Sequence, residues 1–299
     1  MLSAMPELPE IEAYLAALRR ETEGRVLEGV RLQSLFLLRS VEPPLETAVG
    51  RRVTGYSRLG KRIVMALEGE LYLVLHLMVT GRLRWRKRGA GLPGKAGLAA
   101  FNFPGGSLIL TEAGSRKRAS LFVVQGAAGL AVHDPGGLEP LECDLQAFRT
   151  ALAEAHHTLK RALTDPRVFS GIGNAWSDEI LFEARLSPFK RTRDLGDEES
   201  GRLFAAVRSV LEHWRDRYVS EALQAFPDRV SAFHEDMAVH GRYRKPCPRC
   251  GAPVQRIAFA TRHESNYCAA CQTGGRLLAD RALSRLLHDD WPKTLEEIE

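Results

Sequence analysis

A chain of 299 residues with 44% hydrophobic content is long enough for roughly two domains and can fill real cores. Its longest strongly apolar run, LYLVLHLMV at 71–79, is far below the ~20 residues of a membrane span and carries His76 in its middle. The opening MLSA has no charged n-region or apolar h-region, so nothing suggests secretion, and a reducing cytoplasm is the expected compartment.

The net charge of +5 is unevenly spread. Six Lys or Arg and no acid lie between Arg82 and Lys95, SRKR follows at 115–118, and residues 241–276 hold seven basic residues against one Glu. A single charge run is usually a solvated face. Several, interleaved with Trp85, Phe101, Phe103, Tyr243, Phe259 and Tyr267, suggest a polyanionic partner.

In chain order, MPELPE at 5–10 comes first. A chain begun at Met5 and trimmed of it would expose Pro6 as a secondary amine, a nucleophile able to form a Schiff base. The alternative is that Pro6 and Pro9 stiffen a lead-in while Glu7 and Glu10 favour the start of a helix. That helix is predicted over PEIEAYLAALRRE, with Ile11, Tyr14, Leu15 and Leu18 on one stripe. From about Val26 to His133, short β-rich runs alternate with Gly, Pro and charged turns, and PGGS at 104–107 reads as a hairpin turn. Many strands on one core imply a β-sandwich or barrel.

After HDPGGLEPLEC, helical periodicity returns and persists to about Phe233, in DLQAFRTALAEA, TLKRALTD, AWSDEILFEARL and a long segment from Asp197. The glycine-punctuated PRVFSGIGNAW at 166–176 sits between two of these helices, as a simple connector or a phosphate-binding turn. Cys247, Cys250, Cys268 and Cys271 then form C-x2-C-x17-C-x2-C, the spacing of one structural, tetrahedral zinc ion with no open position. Disulfides or a redox pair are the competing readings. The loop between the knuckles reads as a β-hairpin.

PELPE, SGIGNAWSDEILFEARLSP at 170–188 and a four-cysteine finger followed by Gln272, in this order, resemble the formamidopyrimidine-DNA glycosylase / endonuclease VIII family of base-excision repair enzymes. The resemblance implies an α+β fold: an N-terminal helix plus β-sandwich over 5–135, a helix–two-turn–helix domain over 141–238, a zinc finger over 241–275 and an extension over 276–299. It implies that Pro6 attacks C1′ of the damaged nucleotide and holds the sugar as a Schiff base, that Glu7 shuttles protons, and that Lys61 contacts phosphate beside the lesion. Asn174 and Lys160 are DNA contacts by the same resemblance. The implied partner is double-stranded damaged DNA, bound by a monomer without membrane association in a bacterial-type cytoplasm with its nucleoid.

The chain departs from the family in four places. It begins four residues before Met5, and an internal Pro6 would be an amide; a start at Met5 is the expectation. The wedge that fills the gap behind a flipped base is altered: Val79 stands at the Met position of HLMVTG, and KRAS at 117–120 keeps Arg118 but has Ala119 where the intercalating Phe belongs. In the finger, His263 replaces the expected arginine, with Arg262 beside it. Finally, Leu277, Leu278, Ala282, Leu286 and Leu287 suggest a C-terminal amphipathic helix packing back on the body. The expected activity is a glycosylase and AP lyase on oxidised bases, formamidopyrimidine or 8-oxoguanine first. The alternatives are an oxidised-pyrimidine glycosylase and a non-catalytic zinc-ribbon protein that binds damaged DNA.

Overall fold

The computed structural model describes residues 5–228, 234–259, 264–279, 281–287 and 291–298, without the side chains of 281–283 and 298. It opens with helix α1, Leu8–Thr22, started by a capping box between Glu7 and Glu10, with Arg19 and Arg20 in its last turn. Among the described residues, ten strands and seven further helices follow. The first are β1 Gly29–Leu32, β2 Val53–Leu59, β3 Arg62–Leu67, β4 Leu71–His76, β5 Gly81–Arg86, β6 Gly97–Phe103, β7 Gly106–Glu112 and β8 Ser120–Gln125. Then come α2 Gly126–Ala131, α3 Leu145–Ala155, α4 Leu159–Thr164, α5 Asn174–Glu183 and α6 Asp197–Gln224. The C-terminal part adds the hairpin β9 Gln255–Ala258 and β10 Glu264–Tyr267, then α7 Ala269–Thr273 and α8 Arg281–Leu287.

The chain forms two compact units, residues 5–135 with 213–228, and 136–212 with the described residues from 234 on. This differs from a helical domain running on to 238, because the C-terminal half of α6 belongs with the sandwich. In the first unit, antiparallel sheets β1-β6-β7-β5 and β2-β3-β4-β8 share one core. Period-two alternation builds it: Ile63, Met65 and Leu67 of β3 and Leu71, Leu73 and Leu75 of β4 meet Phe101, Phe103, Leu108 and Leu110 of the other sheet, with Leu15 and Leu18 of α1. The alternate residues Val64, Val74 and Val124 form a second cluster under Leu130 of α2. Phe226 closes the core against Tyr14 and Trp85, with ring centroids 6.2 and 6.5 Å away.

The second unit starts its helices on side-chain caps. Asp144 accepts from the Ala147 N–H at 2.8 Å and Thr158 accepts from the Arg161 N–H. Phe148 packs against Phe169 and Phe204. Phe101, Phe103 and Tyr267, read as stations of a polyanion surface, are core residues instead. The terminal stripe is corrected too. Leu277 and Leu278 pack under Ile257 and Tyr267, but Leu286 and Leu287 on α8 are exposed, and the Ala282 side chain lies outside the described residues.

Candidate active site and zinc centre

In the first unit, Pro6 is buried immediately ahead of α1, and Glu7, only 2% exposed, donates its N–H to Glu10 Oε2 at 2.9 Å. The Pro6–Glu7 peptide is therefore fixed by the helix it precedes. Lys61 occupies the β2–β3 turn, and Arg62 pairs with His76, which pairs with Ser120 at the start of β8. In the sequence, His76 is only the polar residue in the middle of an apolar run, which gives it no role. Burial, and then the Arg62 and Lys61 cations, push its pKa down to about 4, so the imidazole is neutral at physiological pH.

The sign of that shift makes a prediction. An unfolded His near 6.5 takes up its proton before the folded one, so the stability from neutral His76 is complete above about pH 6.5. It falls by up to about 3 kcal/mol as pH drops toward 4. Urea unfolding at pH 7.5 and pH 5 should give a steeper acid loss for the native chain than for His76→Gln; equal losses would rule the assignment out.

Between β4 and β5 the turn is tight. Met78 has φ 54°, and the Gly81 N–H donates to the Leu77 carbonyl at 3.0 Å. A Cβ on Gly81 would sit 2.1 Å from that oxygen, so only glycine fits. The Val79 carbonyl accepts from Arg82 Nη1 at 3.1 Å, and the Val79 side chain is half-buried. Past β7, the buried Glu112 carboxylate accepts the N–H groups of Arg118 at 2.9 Å and Ala119 at 3.1 Å. Arg118 is exposed, while Ala119 is buried and held by its backbone, so it cannot act as a wedge.

In the second unit, Asn174 is the first residue of α5 and its Nδ2 donates to the Glu264 carbonyl on β10 at 2.7 Å. Lys160 does not present its ammonium to solvent as a phosphate contact would require. The residue is 7% exposed, and its Nζ donates to the Asn174 carbonyl at 2.7 Å and to Asp178 Oδ1 at 2.5 Å. Asp178 also accepts from Ser265 Oγ at 2.6 Å and the Asn266 N–H at 3.0 Å, and its Oδ2 lies 2.7 Å from His240 Nδ1. Burial alone would raise the Asp178 pKa, but Lys160 and His240 hold it below the usual carboxylate value. Beside it, burial raises Glu179 even though its carboxylate accepts three successive N–H groups, from Ala238 to His240. Arg262 and His263 lie outside the described residues.

The four cysteine sulfurs lie within 4.8 Å of one another, with Cys250–Cys268 at 3.4 Å and Cys247–Cys271 at 4.0 Å. A disulfide needs ~2.05 Å, whereas a Zn–S length of ~2.3 Å puts tetrahedral sulfurs a little under 4 Å apart, so the donor set fits zinc. Gln272 braces the site: its Oε1 accepts the Cys268 N–H and its Nε2 donates to the Leu186 carbonyl, both at 2.9 Å. Among the described residues, no helix is long and apolar enough to cross a membrane.

Residues 5–121 match the formamidopyrimidine-DNA glycosylase N-terminal domain, residues 137–214 the H2TH domain of the same enzyme, and residues 244–274 a zinc finger found in FPG and IleRS. Formamidopyrimidine-DNA glycosylase of Thermus thermophilus is 35% identical over 279 residues, 91% of this chain and all of the relative. That of Heliobacterium modesticaldum is 34% identical over 278 residues, 90% of this chain and all of the relative. The crystal structure of the MutM (Fpg) protein of Thermus thermophilus superposes with TM-score 0.75 at 34% identity, over 89% of this chain and 98% of that one. A complex of Lactococcus lactis Fpg with abasic-site DNA shares the fold at TM-score 0.78 and 24% identity, over 89% and 99% of the two chains. Cys247, Cys250, Cys268 and Cys271 thus hold one structural zinc ion in a finger of this type. With all three parts matched in order and full-length relatives above 30% identity, the chain belongs to the formamidopyrimidine-DNA glycosylase family of base-excision repair enzymes.

Proposed function

We propose that the protein is a bifunctional glycosylase and AP lyase that removes oxidised bases of the formamidopyrimidine and 8-oxoguanine type from double-stranded DNA. The observation that carries this reading is MPELPE at the head of α1, where Pro6 is buried and the next peptide is fixed by Glu10. In a chain that starts at Met5 and loses it, the Pro6 nitrogen is a secondary amine. An α-amine, at a usual pKa of ~8, is more readily deprotonated than a lysine side chain. Its lone pair forms a bond to C1′ as the glycosidic bond breaks, and the base leaves with a proton. Sugar ring opening gives a Schiff base, from which the 3′ and then the 5′ phosphate are eliminated. Glu7 is the proton shuttle, while Lys61, Asn174 and Arg118 serve the DNA, and Val79 sits at the altered wedge. An internal Pro6 has no such lone pair, so the reading stands or falls with the amine.

Borohydride trapping on a duplex with an abasic site tests it, using chains started at Met1 and at Met5. A covalent adduct mapped to Pro6, formed only by the Met5 chain after loss of its methionine, is the expected result. DNA binding without an adduct from either chain would make this a binding protein on an enzyme's fold.

A further inference from the structure

We propose that Leu35 and Phe36 form an apolar wedge that enters the base stack of the damaged duplex; this rests on the DNA-glycosylase reading above. The two residues lie in a single 3-10 turn, Leu35–Leu37, whose third member is buried in the sandwich core. That anchor holds the turn while Leu35 remains 81% and Phe36 78% exposed. Scattered surface apolar residues need no explanation, but two adjacent large ones, held out by a buried neighbour and followed by an exposed arginine, mark a contact surface.

The register locates the turn. Leu38 bridges Leu121 in parallel, the Arg39 N–H donates to the Leu121 carbonyl at 2.9 Å, and Cα atoms of the turn come within 8 Å of β8. Moving back from a parallel bridge runs both chains toward the start of β8, so the turn lies at the end of that strand which Arg118 and Ala119 lead into. The next two strands carry His76, opposite Ser120, and Arg62, opposite His76, with Lys61 just before it. Exposed Arg39 follows the turn by two positions, and exposed Arg116 and Arg118 lie just ahead of β8, the strand it touches. An apolar pair next to Arg39, on a strand end whose neighbours carry Arg62 and Lys61, suits a ligand that is anionic outside and flat and apolar inside, which describes an opened base stack. Ala119, buried and tied to Glu112, offers no side chain for that gap; Phe36 is an exposed aromatic on the turn that touches β8.

The test uses the full chain and a labelled duplex containing a tetrahydrofuran abasic analogue, with binding followed by anisotropy. Phe36→Ala is expected to weaken binding about tenfold, as loss of one stacking aromatic does, and Phe36→Leu less. The slope of log affinity against log salt should stay that of the native chain, since no phosphate contact is lost. The added emission of Phe36→Trp, after subtraction of the native signal, should be quenched at saturation. Undiminished binding by Phe36→Ala with unquenched Trp emission overturns the wedge, and so does a changed salt slope. A response to anionic vesicles in place of DNA would overturn it in favour of a membrane surface. If the native chain does not bind the duplex, the glycosylase reading itself fails.

Discussion

Lys160→Met is expected to destabilise the second unit by about 3–5 kcal/mol, the range for removing one partner of a buried ion pair. The side chain of Asp178 is 0% exposed, so the carboxylate stranded by the substitution cannot recover its hydration. Ser265, Asn266 and His240 would still contact it, but no ammonium would balance its charge at 2.5 Å. Asp178 has a depressed pKa in the folded chain. Its stabilisation is therefore present above the unfolded value of ~3.9 and is lost as pH falls through the folded value. With Lys160 gone, burial pushes the Asp178 carboxyl up, so acid neutralises the stranded charge and the damage done by Lys160→Met should shrink. Hydrogen exchange at the His240 and Asn266 amides, at pH 7 and pH 4, reads this locally. Adding Asp178→Leu to Lys160→Met should restore part of the loss, because an apolar pair leaves no buried charge. Unchanged protection in Lys160→Met would refute the buried pairing, and Lys160 would then be free to serve as a surface contact.

Cys268→Ala should release the zinc and unfold the finger while leaving the sandwich intact. Binding of structural zinc carries about 10–16 kcal/mol in small fingers, and that energy is folding energy. The loss would spread along identifiable bonds: Gln272 accepts the Cys268 N–H, and β10 supplies Ser265 and Asn266 to Asp178 and the Glu264 carbonyl to Asn174. Metal content should fall from one ion to none, and protection should vanish over β9 and β10 and weaken at the start of α5. Strands β3 and β4 should keep theirs. Retained zinc, or equal loss in the sandwich, would contradict this.

The parts legible in the sequence are those written in local patterns. Helical periodicity announces α3 and α4, short β-rich runs announce the sandwich, and two CxxC knuckles announce the metal site. The environment of Lys160 was not legible, because its counter-charge Asp178 lies 18 positions on and its depth depends on how α4 meets α5. The fate of Ala119 depends on Glu112 drawing the loop inward, which no spacing rule predicts. Phe101, Phe103 and Tyr267 look like a binding surface in a basic sequence because composition does not distinguish the two faces of a strand. Leu286 and Leu287 show the reverse error, an apolar repeat that the short α8 leaves in solvent.

The assignment of residues 213–228 to the sandwich has a consequence for the order in which the protein is made. Both sheets are complete once Gln125 has been synthesised, yet the ring that covers Tyr14 and Trp85 is Phe226, about a hundred residues later. During translation the sandwich waits with an aromatic gap in its core while the whole intervening helical segment emerges. The last step of its assembly is the return of the chain, so the first domain to be started is not the first to be finished.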